Sequence, residues 1–495
     1  GQFDRSSRFI GMHQASQSRN HRSLQPRPGW NTSQGQTIQA SDRDEFYDGR
    51  PMKLSRRAFL AGAGAVISQK AFGRVIDLSK ENETALVLTA RRASASILPS
   101  DLASPTAIWG FDGTAPGPVL RAKAGERLKV VVENGLDQPT SVHWHGIRID
   151  NAMDGVPGLT QEAIEPGGRF FYDFRTPDPG TYWYHSHDRS WEQNARGLHG
   201  ALIVEEAERW KGADRDIVLL VDDWRLTKTG AIEDSFGQMM DWSHGGRLGN
   251  VVTVNGRYKP RIAFRPNERV RLRLINAANA RIMDIGFRGA ATRLLALDGM
   301  ATSLAEMPGP VRLAPAQRAD LLVDFPASPK PLAMTIETRD GPVAIAEISV
   351  SGEPVRAEFP EPIGLPAAGL PVSSDLQDAR RAELRMEGGA MGRMTGAMHD
   401  GRMMDIRSLA QTGRVWAFNG VAGDMNEPLA RFERGRTAVV KIRNETPWPH
   451  AMPIARGPMP MNMASRTSPT PTKTCSPATT STLSTMPYPR IAMLT

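Results

Sequence analysis

One pattern, written three times, constrains this chain more than its composition does. Residues 117–134 read Gly-Pro-Val-Leu-Arg-Ala-Lys-Ala-Gly-Glu-Arg-Leu-Lys-Val-Val-Val-Glu-Asn. Residues 259–276 read Lys-Pro-Arg-Ile-Ala-Phe-Arg-Pro-Asn-Glu-Arg-Val-Arg-Leu-Arg-Leu-Ile-Asn, and Pro428 to Asn444 repeat the layout. Each copy is a strand, a turn at Gly or Asn, a second strand and a closing Asn. Copies roughly 150 residues apart imply three similar β domains. The runs 128–133, 169–174 and 270–275 are β-branched, aromatic or alternating, with Gly, Pro and Asn between them. That texture belongs to sandwiches or barrels. A length of 495 residues is too great for one core. The Pro-, Ala- and Glu-rich segment 353–380 reads as a linker between the second and third domains.

Charge excludes one class of partner. The formal net charge is +8. Residues 52–73 carry four basic and no acidic side chains, as do residues 446–495, and the body from 74 to 445 is about −2. A mildly acidic body has no footprint for nucleic acid. No apolar run is long enough for a stable membrane span. Cys475 is the one cysteine, so neither an intrachain disulfide nor a cysteine-based zinc site is available.

The chemistry sits in two histidine pairs, His143-Trp-His145-Gly and Tyr-Trp-Tyr-His185-Ser-His187. In a strand, residues two apart share a face, with Cα atoms about 6.5–7 Å apart. Each pair can aim two imidazoles at one metal, or one at each of two. Imidazole suits copper, zinc, iron or nickel, so the ligands alone do not choose. Histidines exposed on two strands without metal are the bland alternative. A cupin-like barrel would need a carboxylate ligand and a further His soon after, and none is so placed.

From Gly110-Phe-Asp-Gly-Thr-Ala-Pro-Gly-Pro118, through both histidine pairs and Asp154-Gly155, to Gly197-Leu-His-Gly-Ala-Leu-Ile-Val204, the chain resembles the first domain of a bacterial multicopper oxidase. The resemblance covers about 90 to 450. It implies an all-β fold of three cupredoxin-like Greek-key β-sandwich domains, the third incomplete here, and four coppers of types 1, 2 and 3 in an intact parent. By position His143 would bind the type 2 copper, and His145, His185 and His187 the type 3 pair. Asp154 would feed protons to the cluster, although a turn residue before Gly155 reads equally well. The implied reaction oxidises cuprous ions or small phenolic donors one electron at a time and reduces O2 to water. Bacterial copper-resistance oxidases carry Met-rich inserts that collect cuprous ions. The stretch 386–404 resembles one, with Met386, Met391, Met394, Met398, His399, Met403 and Met404 among many glycines. Thioether sulfur is soft and selects Cu(I), whereas a flexible loop or adaptable core packing is the plainer reading. His199 and His244 read as structural or exposed.

The resemblance breaks near the end. The family's third domain carries His-x-x-His-x-His and later His-Cys-His-x-x-x-His. Trp448-Pro-His450 begins the first of these and offers His450 as a type 1 ligand, but Pro453 and Ala455 occupy the next two ligand positions. Cys475 has no neighbouring His. The chain as written is therefore expected to be inactive. A copper-free exported scaffold of the same fold, of the cell-division kind, is the alternative. Retention of all four first-domain histidines argues against it.

The domain plan is then a first sandwich over 86–208, a second over 215–352 and a third over 381–452. Met52 to Ala65 has a basic start, Arg56-Arg57 and a small-residue apolar run, the layout of a twin-arginine signal within 52–73. It implies the twin-arginine translocase as a partner and a periplasmic location. Residues 1–51 are Ser-, Gln- and Arg-rich without periodicity, reading as disordered and not native. From 465 to 487, 17 of 23 residues are Ser, Thr or Pro, where a sandwich needs its final strands. Residues 453–495 are accordingly expected to be an out-of-frame translation. Pro489 to Leu494 resembles the family's segment before His-Cys-His, as if the frame returned there. A monomer is expected.

Overall fold

The computed structural model describes residues 74–77, 85–327, 332–366, 379–423, 429–431 and 437–451, with the backbone of Arg490–Ala492. The twin-arginine segment, residues 1–51, Cys475 and most of the tail lie outside the described residues. All described residues belong to one unit, 64–495.

The fold is all-β and multi-domain, of cupredoxin type. In the first sandwich one sheet runs Val75–Asp77, Val119–Lys123, His199–Glu205, Gly180–His185, His143–His145. The facing sheet runs Thr106–Phe111, Leu86–Ala95, Arg127–Asn134, Arg169–Arg175. Val75–Asp77 lies before the expected start at 86 and joins as an edge strand parallel to Val119–Lys123. Leu88, Val130, Val132, Tyr172 and Leu202 fill the core between the sheets. The second domain faces a seven-stranded sheet with a five-stranded one, around Leu272, Leu274, Leu321, Val323, Phe325 and Met334.

The repeated pattern has a physical counterpart. In each domain the second strand of the repeat pairs parallel with an early strand of that domain: Arg127–Asn134 with Leu86–Ala95, Glu268–Asn276 with Arg215–Trp224, and Thr437–Asn444 with Arg380–Gly388. The closing Asn turns the chain out of the sheet with its own side chain. Asn134 Oδ1 accepts from Leu136 N, and its Nδ2 donates to Gln138 O and Ile164 O. Asn276 accepts from Ala278 N and donates to Arg281 O and Leu313 O. Asn444 accepts from Thr446 N and donates to Trp448 O.

All nine residues of Glu268–Asn276 are buried, its three arginines included. The arginine face is covered by charge partners. Arg271 binds Asp320 and Glu206, and Arg273 binds Asp216 and Thr181 Oγ1 of the first sandwich. Arg269 binds Asp324 with two hydrogen bonds. Ion pairs of this kind hold only while each guanidinium keeps its carboxylate. Trp183 and Ile203 pack apolar surface against Val218, Leu220 and Ile275 beside this network.

The third region is one sheet among the described residues. Its order is Arg402–Asp405, Gly396–His399, Val421–Ala422, Trp416–Phe418, Arg380–Gly388, Thr437–Asn444 and Arg490–Ala492. Its cluster is small: Ala397, Leu409, Ala417 and Ala422, with Met394 and Met404 against it.

Candidate metal centre

The two histidine pairs occupy neighbouring antiparallel strands, with His143 opposite His185 and His145 opposite Trp183. The two-residue period divides the side chains cleanly. Trp144, between its histidines, is fully buried on the core face against Tyr172, Phe174 and Tyr184. Tyr184 shares that face and donates to Pro118 O. His143, His145 and His185 take the other face, where Trp183 stacks on His185 with centroids 4.2 Å apart. Truncating a core tryptophan such as Trp144 costs about 3–5 kcal/mol, so the packing that buries it also holds the histidine face.

The four rings converge. His143 lies 5.4 Å from His145, 5.4 Å from His185 and 5.3 Å from His187, centroid to centroid. One nitrogen from each of His143, His145 and His185 lies within 4.8 Å of the others. His145 Nδ1 and His185 Nε2 face each other at 3.3 Å. His187 follows the strand end, where its N–H donates to Ser141 Oγ. The opposite nitrogens are tied back: His143 Nδ1 contacts Asp154 O at 2.7 Å, and His185 Nδ1 contacts Ser186 O at 2.9 Å. Asn194 Nδ2 also lies 3.2 Å from His185 Nδ1.

Two glycines are required by this geometry. Gly155 has φ +84°, and a Cβ there would sit 1.7 Å from Val142 O. Gly146 has φ +85°, and a Cβ would strike the Arg318 guanidinium, which closes the site from the second sandwich. Arg318 donates to Thr181 O and Ala316 O and pairs with Asp298.

Burial keeps these imidazoles neutral. It lowers His143 and His187 to about 4, and His145 and His185 well below the ordinary value, where neighbouring rings add repulsion. Neutral imidazoles with convergent free nitrogens are the donor set a transition metal takes. Burial pushes the Asp154 carboxyl up to about 7, and His187 opposes that shift. Asp154 Oδ1 lies 3.5 Å from His143 Nδ1, and its Oδ2 is buried with no partner among the described residues.

The other candidates lie elsewhere. His450 is half-buried with Thr446 Oγ1 3.0 Å from its Nε2 and Trp416 edge-on at 5.1 Å. Burial lowers its pKa. The methionines are dispersed. Met386 is buried within its strand, Met394 and Met404 pack on the small apolar cluster, and Met391 and Met403 are exposed. Met398 and Met403 are cross-strand partners in a hairpin that also carries His399, whose Nδ1 contacts Ala422 O. His199, which the sequence offers as structural or exposed, is buried beside Asp222, with Nε2 to Oδ2 at 3.1 Å. Asp222, Asn194 and Arg318 had no signal in local sequence, since each meets the histidine sheet only through the fold.

Comparison with known proteins agrees with this geometry. Two family models described as multicopper oxidase match residues 95–209 and 215–348. Copper resistance protein A of Pseudomonas syringae pv. tomato is 32% identical over 260 residues, covering 43% of this chain and 42% of that protein. Multicopper oxidase MmcO of Mycobacterium tuberculosis is 28% identical over 309 residues, covering 56% and 60%. The chain thus spans about half the length of the curated relatives it matches. Among solved structures, a multi-copper oxidase from Pseudomonas thermotolerans matches at TM-score 0.56 and 33% identity, over 64% of this chain and 72% of that one. Lac15 from a marine microbial metagenome matches at 0.53 and 34%, over 69% and 91%. With His143, His145 and His185 folded into one buried cluster, His187 beside it, and multicopper oxidase family models matching the first two sandwiches, the chain belongs to the multicopper oxidase family.

Proposed function

We propose that the intact protein is a copper-dependent oxidase that takes single electrons from cuprous ions or small phenolic donors and reduces O2 to water. The observation that carries this is the convergence of His143, His145 and His185 on one buried face, one ring nitrogen of each within 4.8 Å of the others, with the His187 ring 5.3 Å from that of His143. His143 is assigned to a type 2 copper, and His145, His185 and His187 to the type 3 pair. Copper held there supplies the one-electron steps that oxygen reduction needs. The chain's own part is to place the ligands, keep them neutral and exclude water. His143 is oriented by the Asp154 carbonyl, His185 by the Ser186 carbonyl, and Arg318 caps the strand end beyond His145. Asp154, whose carboxyl sits near 7 with one oxygen unpartnered, holds a proton at Oδ2 and can release it toward the cluster.

His450 is assigned to the type 1 site. Exposed Met391 and Met403, with Met398 and His399 beside Met403, are assigned to cuprous-ion collection, and buried Met386 to packing. The described residues hold one half of the trinuclear ligand set, so this chain is proposed to be inactive by itself, as an out-of-frame stretch from about 453 would make it. Delivery to the periplasm through Arg56-Arg57 completes the reading. Oxygen uptake by the copper-loaded protein carrying an intact third domain, with Cu(I) and with a phenol as donors, tests the function. No uptake with either donor rejects it. Cytoplasmic retention after Arg56→Lys with Arg57→Lys tests the export route.

A further inference from the structure

Asn194 carries a conflict that its surroundings resolve in one way. It follows the short helix Ser190–Gln193, is nearly buried, and points its amide at His185. His185 Nδ1 has two neighbours, Ser186 O at 2.9 Å and Asn194 Nδ2 at 3.2 Å. One ring nitrogen cannot serve both. Facing a carbonyl it must carry a proton and donate. Facing an NH2 group it must be bare and accept. The Ser186 carbonyl shares its peptide plane with the His187 N–H, which is committed to Ser141 Oγ, so it cannot turn. The Asn194 amide can turn, because its oxygen and nitrogen are nearly isosteric and exchange places on a half rotation. Its Oδ1 is meanwhile buried with no hydrogen-bond partner among the described residues. Turning the amide leaves an NH2 in that same place, so the fixed Ser186 carbonyl, and not this atom, decides the orientation.

We propose that Asn194 is a positioning residue for His185. Its amide oxygen accepts the Nδ1 proton alongside Ser186 O, which keeps Nε2 bare and aimed at the histidine cluster. The proton stays on Nδ1 throughout and the ring stays neutral, so binding a metal at Nε2 requires no change of tautomer. Two acceptors also hold the ring plane against rotation about Cβ–Cγ. Without Asn194, Nδ1 would keep only the Ser186 carbonyl as its partner. The opposite arrangement is chemically distinct. There the amide NH2 would donate to a bare Nδ1, and the proton would sit on Nε2, facing His145 Nδ1 and blocking the metal.

This rests on the copper reading for its consequence, but the tautomer itself can be measured in the metal-free chain. Nitrogen-15 NMR of the full chain labelled at histidine, with His185→Gln used to assign the signals, should show His185 protonated at Nδ1. Protonation at Nε2 overturns the proposal. Outer partners of this kind are worth about 10–100-fold in metal affinity. Cu(II) titration against a competing chelator should therefore show Asn194→Leu weakened by at least about tenfold. Asn194→Asp, which can only accept, should bind as tightly as the unchanged chain. Unchanged affinity in Asn194→Leu, or an equal loss in Asn194→Asp, also overturns it. If Asn194→Leu does not fold, the tautomer decides. If the unchanged chain takes up no Cu(II), the copper reading fails, and the tautomer still decides the role of Asn194.

Discussion

The first and third copies of the repeated strand start from the same pattern and end in different surroundings. Arg127–Asn134 alternates exposed and buried residues, and Asn134 at its end is 2% exposed. Thr437–Asn444 buries Ala438, Val439 and Val440, then runs out into exposed residues, with Asn444 exposed as well. The local Asn turn survives in both, because it needs only backbone two to four residues away. The difference is the long-range acceptor. Asn134 reaches Ile164 O and Asn276 reaches Leu313 O across their sandwiches. Asn444 has no such partner among the described residues, where the third region lacks a facing sheet. The same contrast governs the metal chemistry. In the first sandwich two strands face four imidazoles together, while His450 meets a threonine and a tryptophan.

That comparison breaks most visibly in activity. The chain as it stands should show no thiolate-to-copper absorption and no oxygen uptake, whereas the protein with third-domain ligands restored should show both. A blue, active preparation of the present chain would erase the distinction. Next in size is Asp320→Ala. It strips a buried carboxylate from Arg271 and Arg273 and should cost about 3–5 kcal/mol. The exposed pair Arg443–Glu383 in the third region should cost under about 1 kcal/mol when broken. Urea midpoints of the two variants decide this.

Acid should act on the first sandwich with little counterpart in the third. His143 titrates near 4 when folded and near 6.5 when unfolded, its folded value being depressed by burial. The unfolded chain therefore binds more protons between those values, and stability is lost as pH falls from about 6.5 toward 4. That linkage is worth about 3 kcal/mol for His143 alone. Asp154 opposes it, since its raised carboxyl makes the folded chain bind protons more tightly up to about 7. Asp154→Asn should therefore steepen the acid loss, as followed by tryptophan fluorescence. A flatter profile would sink the assignment. The smallest effect separates the turns themselves. Asn134→Ala leaves buried carbonyls unmet and should cost about 1–3 kcal/mol, and Asn444→Ala under about 0.5 kcal/mol. Equal costs would show that the third region is as well covered as the first.

Much of the fold was legible in advance because its signals are local. The period-two alternation around Trp144 dictates that His143 and His145 share a face, and the same rule pairs His185 with His187. The closing Asn in each repeat is a turn device that needs no distant residue. Residues with no such local signature were not legible. Arg271 and Arg273 are buried because Asp216 and Asp320 converge on them within the second domain while Thr181 arrives from the first. The methionines of 386–404 read as one group, but the sheet sends Met386 inward and leaves Met391 and Met403 outside.

The sequence by itself determined the β class, the three-fold repeat and the identity of the four converging imidazoles, because side-chain period and ligand chemistry are properties of short segments. Tertiary structure alone decided what stands behind those imidazoles. Asp154 lost its solvent, Arg318 came to rest on Gly146, His199 met Asp222, and Asn194 turned toward His185. Each of these depends on burial and on residues brought together from separate strands or loops, and desolvation has no signature in a segment until another closes over it.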